Sequence, residues 1–465
     1  MNTSSDTHTE EAGAILARFA ASLTYDALPG DVVAKVKELI LDSLGVALAG
    51  STAPGIDAAV RAIRHWGGTA ESTLYGHGVR LPSAHVAMVN GAMSTARDYD
   101  DTLDDAMLHA MPPVLPAVLA LAEAEGNRSG RDLIAAVAAG AELQCRMGHA
   151  RRKGQEFLPT GTTGALAAAA AAARILGMPF EGVMNACGIA YSQCSGNVQP
   201  LRDGATVKRF HAGFAARNGV VSAIMARNGV TGAYHWLEGE FGYYNLYERG
   251  EYDPAILRSD LGKTFDLMNL SLKPWPSARD NHGAVGAALE LAVEHDLKPG
   301  DVARVEALLP PNAFRVSGKP WDVAKGHPVV EAITSAGYGI AVAITRRALH
   351  LDDFTEARIF DPAIGELARR VQVGTMPGIT DEGTFVPQRV RIHMKDGRVL
   401  DRQVDVLLGH PSRPMNRAQV VEKVHRCVTF AARPASRAQI DALVHAIDNL
   451  ESMSDMRDLG RLLAL

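Results

Sequence analysis

Apolar residues near the start of the chain recur at intervals of three and four. Ile15, Leu16, Phe19 and Leu23 form one series, and Val36, Leu39, Ile40, Leu44 and Val46 a second, with Leu28-Pro29-Gly30 between them. That spacing puts the apolar side chains on one helical face, so it predicts two amphipathic helices separated by a turn, with Gly50 as the C-cap of the second. Helical patterning also covers 84–96 and 114–125, and Ser129 stands as an N-cap before the apolar run of 130–148. Residues 161–228 are dominated by alanine and glycine, which lets helices approach closely; no strand leads into GxGxxG or GxxxxGK[ST], so packing is favoured over a phosphate loop.

After Phe265 the period changes. Alternation over 302–309 and again over 389–406, where Lys395-Asp396-Gly397-Arg398 forms a turn, predicts a strand and a hairpin. Helices are expected between them at 331–349 and 364–371, and a helical region resumes from Gln419. The layout is a long helical part over 1–267, an α+β insert over 268–408 and a helical return over 409–465.

Composition narrows the function classes. Apolar residues make up 47% and charged residues 21%, as in an ordinary soluble globular protein. A net charge of −5 without a Lys/Arg block argues against a nucleic-acid partner. Cys145, Cys187, Cys194 and Cys427 lack CxxC spacing, which points to a reducing compartment and away from zinc or iron–sulfur ligation. The N-terminus has no signal-peptide pattern, and the alanine run ending at Arg174 is too short to span a bilayer, so a cytoplasmic protein without a membrane partner is expected.

The densest polar stretch is 90–116, which holds Asp98, Asp100, Asp101, Asp104 and Asp105 together with Arg97, Thr102 and His109. Carboxylates this close repel one another unless cations or chemistry use them. Asp100-Asp101-Thr102-Leu103-Asp104 matches the DDxxD pattern of helical isoprenoid synthases. Such a site needs a second acidic motif on a facing helix, and the candidate, Asp352-Asp353-Phe354-Thr355-Glu356, lies in the α+β part. A solvated acidic loop is the plainer reading. Elsewhere, Lys208, Arg209 and His211 stand at the start of a small-residue helix, where free N–H groups favour anions. Lys273 is stiffened by Pro274 and Pro276 and followed by Arg279 and His282. Tyr338 sits on a glycine-flanked apolar helix, a setting more typical of a core tyrosine.

Taken together, NGAMSTARDYDDT, the run from His109 through Pro116, VKRFHAGFAARNGV, LKPWPSARDNH and SAGYGIAVA resemble the MmgE/PrpD family in order and spacing, with LPGDVVAKVKELILDSLGVALAGS and GHPSRPMN as flanking matches. The family includes 2-methylcitrate dehydratase, cis-aconitate decarboxylase and iminodisuccinate epimerase. The resemblance implies a mainly α fold, in which a large all-helical domain built from both chain ends carries a smaller inserted α+β domain. It further implies a homodimer, a site in the cleft between the domains, no metal or organic cofactor, and a small polycarboxylate as substrate.

Carried over residue by residue, the resemblance makes Asp98, His109, Lys208, Lys273 and Tyr338 candidate catalytic residues, and Thr102, His282, Arg279 and His211 candidate substrate-binding residues. Two lysines from different segments would bind substrate carboxylates, a histidine would move the proton next to a carboxylate, and Asp98 would tune a neighbouring His or Lys. Dehydration is the leading expected reaction, with decarboxylation and epimerisation sharing its need for a stabilised carbanion. A non-catalytic, carboxylate-binding member is the rival. The sequence departs from the family where Leu158-Pro159-Thr160 replaces HPT, where Thr95-Ala96-Arg97 replaces His-Ala-Leu, at Leu103, and where Ala110-Met111 follow His109.

Overall fold

The computed structural model describes residues 10–152, 156–322, 328–380 and 383–465. The protein is mainly helical. The first two apolar series become helices Ala12–Ser22 and Gly30–Gly50, joined through the 3-10 turn Tyr25–Ala27. Gly50 is not a C-cap: it is the last helical residue, and Ser51 occupies the cap position. A Cβ at Gly50 would overlap the carbonyl oxygen of Met93, so its lack of a side chain serves the approach of helix Ser83–Thr95.

The alanine- and glycine-rich segment builds the centre. Helix Phe210–Arg227 packs against Pro159–Ile175, Ser83–Thr95 and Phe180–Tyr191. A Cβ at Gly213 would run into the backbone of Met88, and one at Gly219 would lie 2.6 Å from the Ala168 methyl. Every residue from Ala165 to Ala173 is buried. Small side chains there are the condition for three helices to share one axis-to-axis space, as interior packing density requires.

Helix Met111–Glu125 starts three positions before the expected 114, because the Asp101 carboxylate accepts hydrogen bonds from the N–H groups of Ala110 and Met111 at 2.9 and 3.3 Å. Ser129 caps helix Gly130–Ala150 with a full capping box through Asp132, as its position predicts.

Beyond residue 270 a four-stranded sheet forms in the order Val371–Thr375, Val302–Leu309, Gln388–Met394, Val399–Val404. The first pair is parallel and the other two antiparallel. Strand Val302–Leu309 and the hairpin around Gly397 follow the alternation of the sequence. Two expectations need correction. The single helix expected over 331–349 is two, Pro328–Thr334 and Ala336–Arg346, bent by 81° where Ser335 accepts from the Tyr338 N–H. The helix expected over 364–371 is Pro362–Ala368, and Val371 already belongs to a strand. No single helix among the described residues is long and apolar enough to cross a membrane.

Buried apolar residues fall into two main clusters. One joins residues between Ala12 and Leu272 with residues between Met415 and Leu463; the other runs from Trp275 to Leu407. A short ribbon, Thr102–Leu103 paired antiparallel with Leu270–Ser271, ties the acidic stretch to the chain just before the second cluster. Its register decides what meets at the site.

Candidate active site

After helix Ser83–Thr95 the chain turns sharply, and Asp98 takes a left-handed conformation with φ 52°. Aspartate tolerates that region better than most side chains. Because Thr102 faces Ser271 across the ribbon, Lys273 arrives beside this turn. Its ammonium donates to Asp98 Oδ1 at 2.7 Å and to the Asp98 carbonyl at 3.1 Å, and lies 3.9 Å from Asp100 Oδ1. The Lys273 side chain is 1% exposed, whereas Asp98 keeps 19%. Burial opposes ionisation of both. It is outweighed for Asp98 by Lys273 and Lys208, which hold the carboxyl well below its usual range, and for Lys273 by Asp98 and Asp100, which raise it.

His109 is anchored on three sides. Its Nδ1 lies 2.6 Å from the Asp101 carbonyl, 3.2 Å from Asp100 Oδ2 and 3.4 Å from Thr102 Oγ1. Its own N–H donates to Thr160 Oγ1 at 3.0 Å, and its carbonyl accepts from Gln144. A carbonyl only accepts, so Nδ1 carries the proton and Nε2 presents a lone pair. Burial, helped by Lys273 and Lys208 and opposed by Asp100, lowers the imidazole from its ordinary value. The ring is therefore neutral at pH 7 and fit to take a proton at Nε2.

Lys208 stands half-buried in the 3-10 turn Thr206–Arg209, its ammonium without a hydrogen-bond or ion-pair partner among the described residues. It lines a pocket with Asp98, Arg209 and Pro200; Val330 and Thr334 close the other side. The first four belong with the helical core and the last two lie in the segment of the second core. An unpartnered ammonium in a concave site is suited to an anionic substrate group.

The remaining candidates scatter. His211 is buried in the first turn of helix Phe210–Arg227, with Nδ1 unpartnered and its basicity lowered by burial and by Lys208. Arg279, expected to bind substrate, is instead bound to the protein: it grips Asp104 with two bonds of 2.9 and 2.7 Å and donates to the Leu408 carbonyl at 2.9 Å. His282, also expected to bind substrate, is 1% exposed. Its Nε2 lies 3.2 Å from the Ser277 carbonyl and its Nδ1 3.4 Å from Arg279, so it is a neutral connector between two protein groups. Tyr338, expected to be catalytic, is wholly buried in the second core against Trp321 and Phe354, and its hydroxyl donates to the Asp353 carbonyl. The structure thus brings together Asp98, Thr102, His109, Lys208 and Lys273, and leaves Tyr338, Arg279 and His282 with structural partners.

Two groups escaped the sequence reading. Asp100 faces both His109 and Lys273, and Lys423 from helix Arg417–Val428 donates to the Tyr99 carbonyl at 2.9 Å while pairing with Asp42 at 2.7 Å. Asp100 stood out in sequence only as part of the DDxxD match and not as a partner of His109, and nothing local to Lys423 signals a partner 324 positions away. The carboxylates of the DDxxD pattern are also accounted for. Asp101 caps a helix, Asp104 holds Arg279 and Ser271, and Asp100 lies between the Lys273 ammonium and the His109 imidazole.

Comparison with known proteins decides the family. Residues 14–255 match the model of the MmgE/PrpD N-terminal domain and residues 275–449 that of the MmgE/PrpD C-terminal domain. The chain belongs to the MmgE/PrpD family. Among its relatives, the cis-aconitate decarboxylase of Homo sapiens is 28% identical over 93% of this chain and 90% of its own length. That of Aspergillus terreus is 27% identical over 96% and 94%, and that of Mus musculus 26% identical over 95% and 91%.

Proposed function

We propose that this MmgE/PrpD protein is a cofactor-independent lyase that decarboxylates a small unsaturated polycarboxylate of the cis-aconitate type. The observation that carries the reading is the pairing of an unpartnered Lys208 with a neutral His109 beside the Lys273–Asp98 ion pair. The full-length likeness to cis-aconitate decarboxylases favours loss of CO₂ over the dehydration expected first from sequence. We assign the two apolar cores to a helical domain of 1–267 with 409–465, whose core also takes in Leu270 and Leu272, and an inserted domain of 268–408, with the site in the cleft between them.

The chemistry follows from charge. Lys208 receives one substrate carboxylate, and the added negative charge next to His109 reverses the depression caused by the lysines, so the imidazole takes a proton from water at Nε2. When another carboxylate leaves as CO₂, the C–C electron pair moves into the conjugated carbon–carbon double bond and the remaining carboxylate. Lys208 stabilises that charge, and the imidazolium returns its proton to carbon. A trianion and one proton become CO₂ and a dianion.

The test is incubation with cis-aconitate and, separately, with hydroxylated tricarboxylates such as 2-methylcitrate. Release of CO₂ with formation of a five-carbon unsaturated dicarboxylate, carrying one deuterium when made in D₂O, is expected. The His109→Gln variant should lose roughly 10²–10⁴-fold in rate. Loss of water from the hydroxy acids without CO₂ release would return the assignment to dehydration. Thermal protection by these acids with no turnover of any would make the protein a carboxylate-binding member.

A further inference from the structure

Asp100 is a deeply buried acid beside the candidate site. Its side chain is 2% exposed, and neither carboxylate oxygen has a hydrogen-bond partner among the described residues. Leaving a carboxylate this buried and unbonded costs several kcal/mol unless nearby charge compensates. The compensation in view is divided between two groups: Oδ2 lies 3.2 Å from His109 Nδ1, and Oδ1 lies 3.9 Å from Lys273 Nζ.

We propose that Asp100 is a positioning residue that holds the positive charge of His109 once the imidazole has taken its proton at Nε2. Asp98, the acid that sequence reading assigned to tuning a histidine or lysine, is engaged with Lys273 at 2.7 Å; Asp100 is the acid on the histidine. The work is split between two acceptors on Nδ1. The Asp101 carbonyl at 2.6 Å fixes the tautomer, a task a neutral dipole can perform. The Asp100 carboxylate supplies the full negative charge that a dipole cannot, and it does so from a buried position where little water screens it.

The other charges facing this pair set the background. Asp98, Lys273 and Lys208 act on His109; Lys273 and the carboxylates of Asp101 and Asp42 surround Asp100. Lys273 therefore serves two acids, and removing Asp100 leaves its 2.7 Å bond to Asp98 in place.

The test follows the imidazole directly. In the uniformly ¹⁵N-labelled protein, with His109 assigned by the His109→Gln spectrum, Nδ1 should keep its proton at every pH where the ring is neutral. Finding the Nε2–H tautomer would overturn the proposal without any variant. In the Asp100→Asn variant the His109 pKa should fall by about one pH unit or more. Asp98→Asn, which removes the charge bound to Lys273, should move it less. Equal shifts, or a larger one for Asp98→Asn, would overturn the proposal. The kinetic half rests on the decarboxylation proposed above: Asp100→Asn should lower kcat with KM nearly unchanged and shift the basic limb of the pH–rate profile, where the required imidazolium is lost, with the NMR pKa. If cis-aconitate is not turned over but the pKa difference is found, the reaction assignment fails and the role of Asp100 stands.

Discussion

Two buried lysine–aspartate pairs among the described residues differ sharply in setting. Lys273 meets Asp98 at 2.7 Å and Lys423 meets Asp42 at the same distance. Around Lys423 everything is closed. Asp42 is fully buried, the Tyr99 ring covers the ammonium at 4.0 Å, and the Tyr99 carbonyl takes another of its protons. Around Lys273 one side is open, because Asp98 is partly exposed and borders the pocket that Lys208 lines. Tyr99 joins the two seams: its carbonyl belongs to the closed one, and its hydroxyl donates to the carbonyl of Pro274, next to Lys273. A buried ion pair is weak evidence of either stability or function by itself. What separates these two is that Asp98 is partly exposed and borders a pocket, whereas Asp42 is sealed.

Neutralising each pair as a unit breaks the comparison most sharply. Lys423→Met alone strands Asp42 and should destabilise by about 3–5 kcal/mol, much of which Lys423→Met/Asp42→Asn should recover. Turnover in that double variant should stay within about tenfold of the parent, because its pair touches only protein. Lys273→Met/Asp98→Asn should fold and yet lose roughly 10³-fold or more in kcat/KM, since charge aimed at the reacting groups is removed from a low-dielectric site. Denaturant melts and steady-state kinetics on the four proteins measure both halves. Comparable kinetic losses in the two double variants would erase the distinction between an open and a closed seam.

Lys208 sharpens the same contrast from the solvent side. Its ammonium leaves no partner stranded among the described residues, so Lys208→Met should leave stability within about 0.5 kcal/mol of the parent. The expected cost falls on binding: KM rising by roughly 10–100-fold, about 1.4–2.8 kcal/mol of lost carboxylate interaction. An unchanged KM for every polycarboxylate tried would remove Lys208 from the substrate's path.

Much of the fold was legible because its signals are local. Alternation over 302–309 needs only side-chain period to become strand Val302–Leu309, and Gly397 needs only its own turn. Lys208, Lys273 and His109 were singled out through their family motifs. Long-range partnerships were not. Asp104 had no visible purpose in sequence because its partner, Arg279, lies 175 positions away and reaches it only through the ribbon register of Thr102 with Ser271. Tyr338 misled for the opposite reason. Its motif matched, but the break at Ser335 restarts the helix so that the ring enters the second core and its hydroxyl satisfies the Asp353 carbonyl. Motif order says which residues are kept together in a chain, and only the backbone path says which way each one faces.

His282 gives the smallest effect and a sign that can be worked out in advance. Burial, reinforced by Arg279 and Lys273, holds its basicity well below the ordinary imidazole value, so it stays neutral in the folded protein. An unfolded chain takes up that proton as pH falls through about 6.5, while the folded one does not. The unfolded state then binds more protons, and stability must decline with acidification by at most about 1.4 kcal/mol per pH unit from this group. The Asp101 carboxyl works the other way. Pushed up to about 7 by burial and by Asp100, it withholds stability as pH rises from the ordinary carboxylate range toward 7. The two slopes oppose each other between about pH 4 and 6.5, so the total pH dependence is a poor reporter and a difference between variants is needed. His282→Gln can still donate to the Ser277 carbonyl and cannot titrate, so its urea-derived stability should fall less steeply than the parent's between pH 6.5 and 5. Parallel stability curves would mean that His282 is protonated in the folded protein, and that the contact from Arg279 to its Nδ1 is not an accepting one.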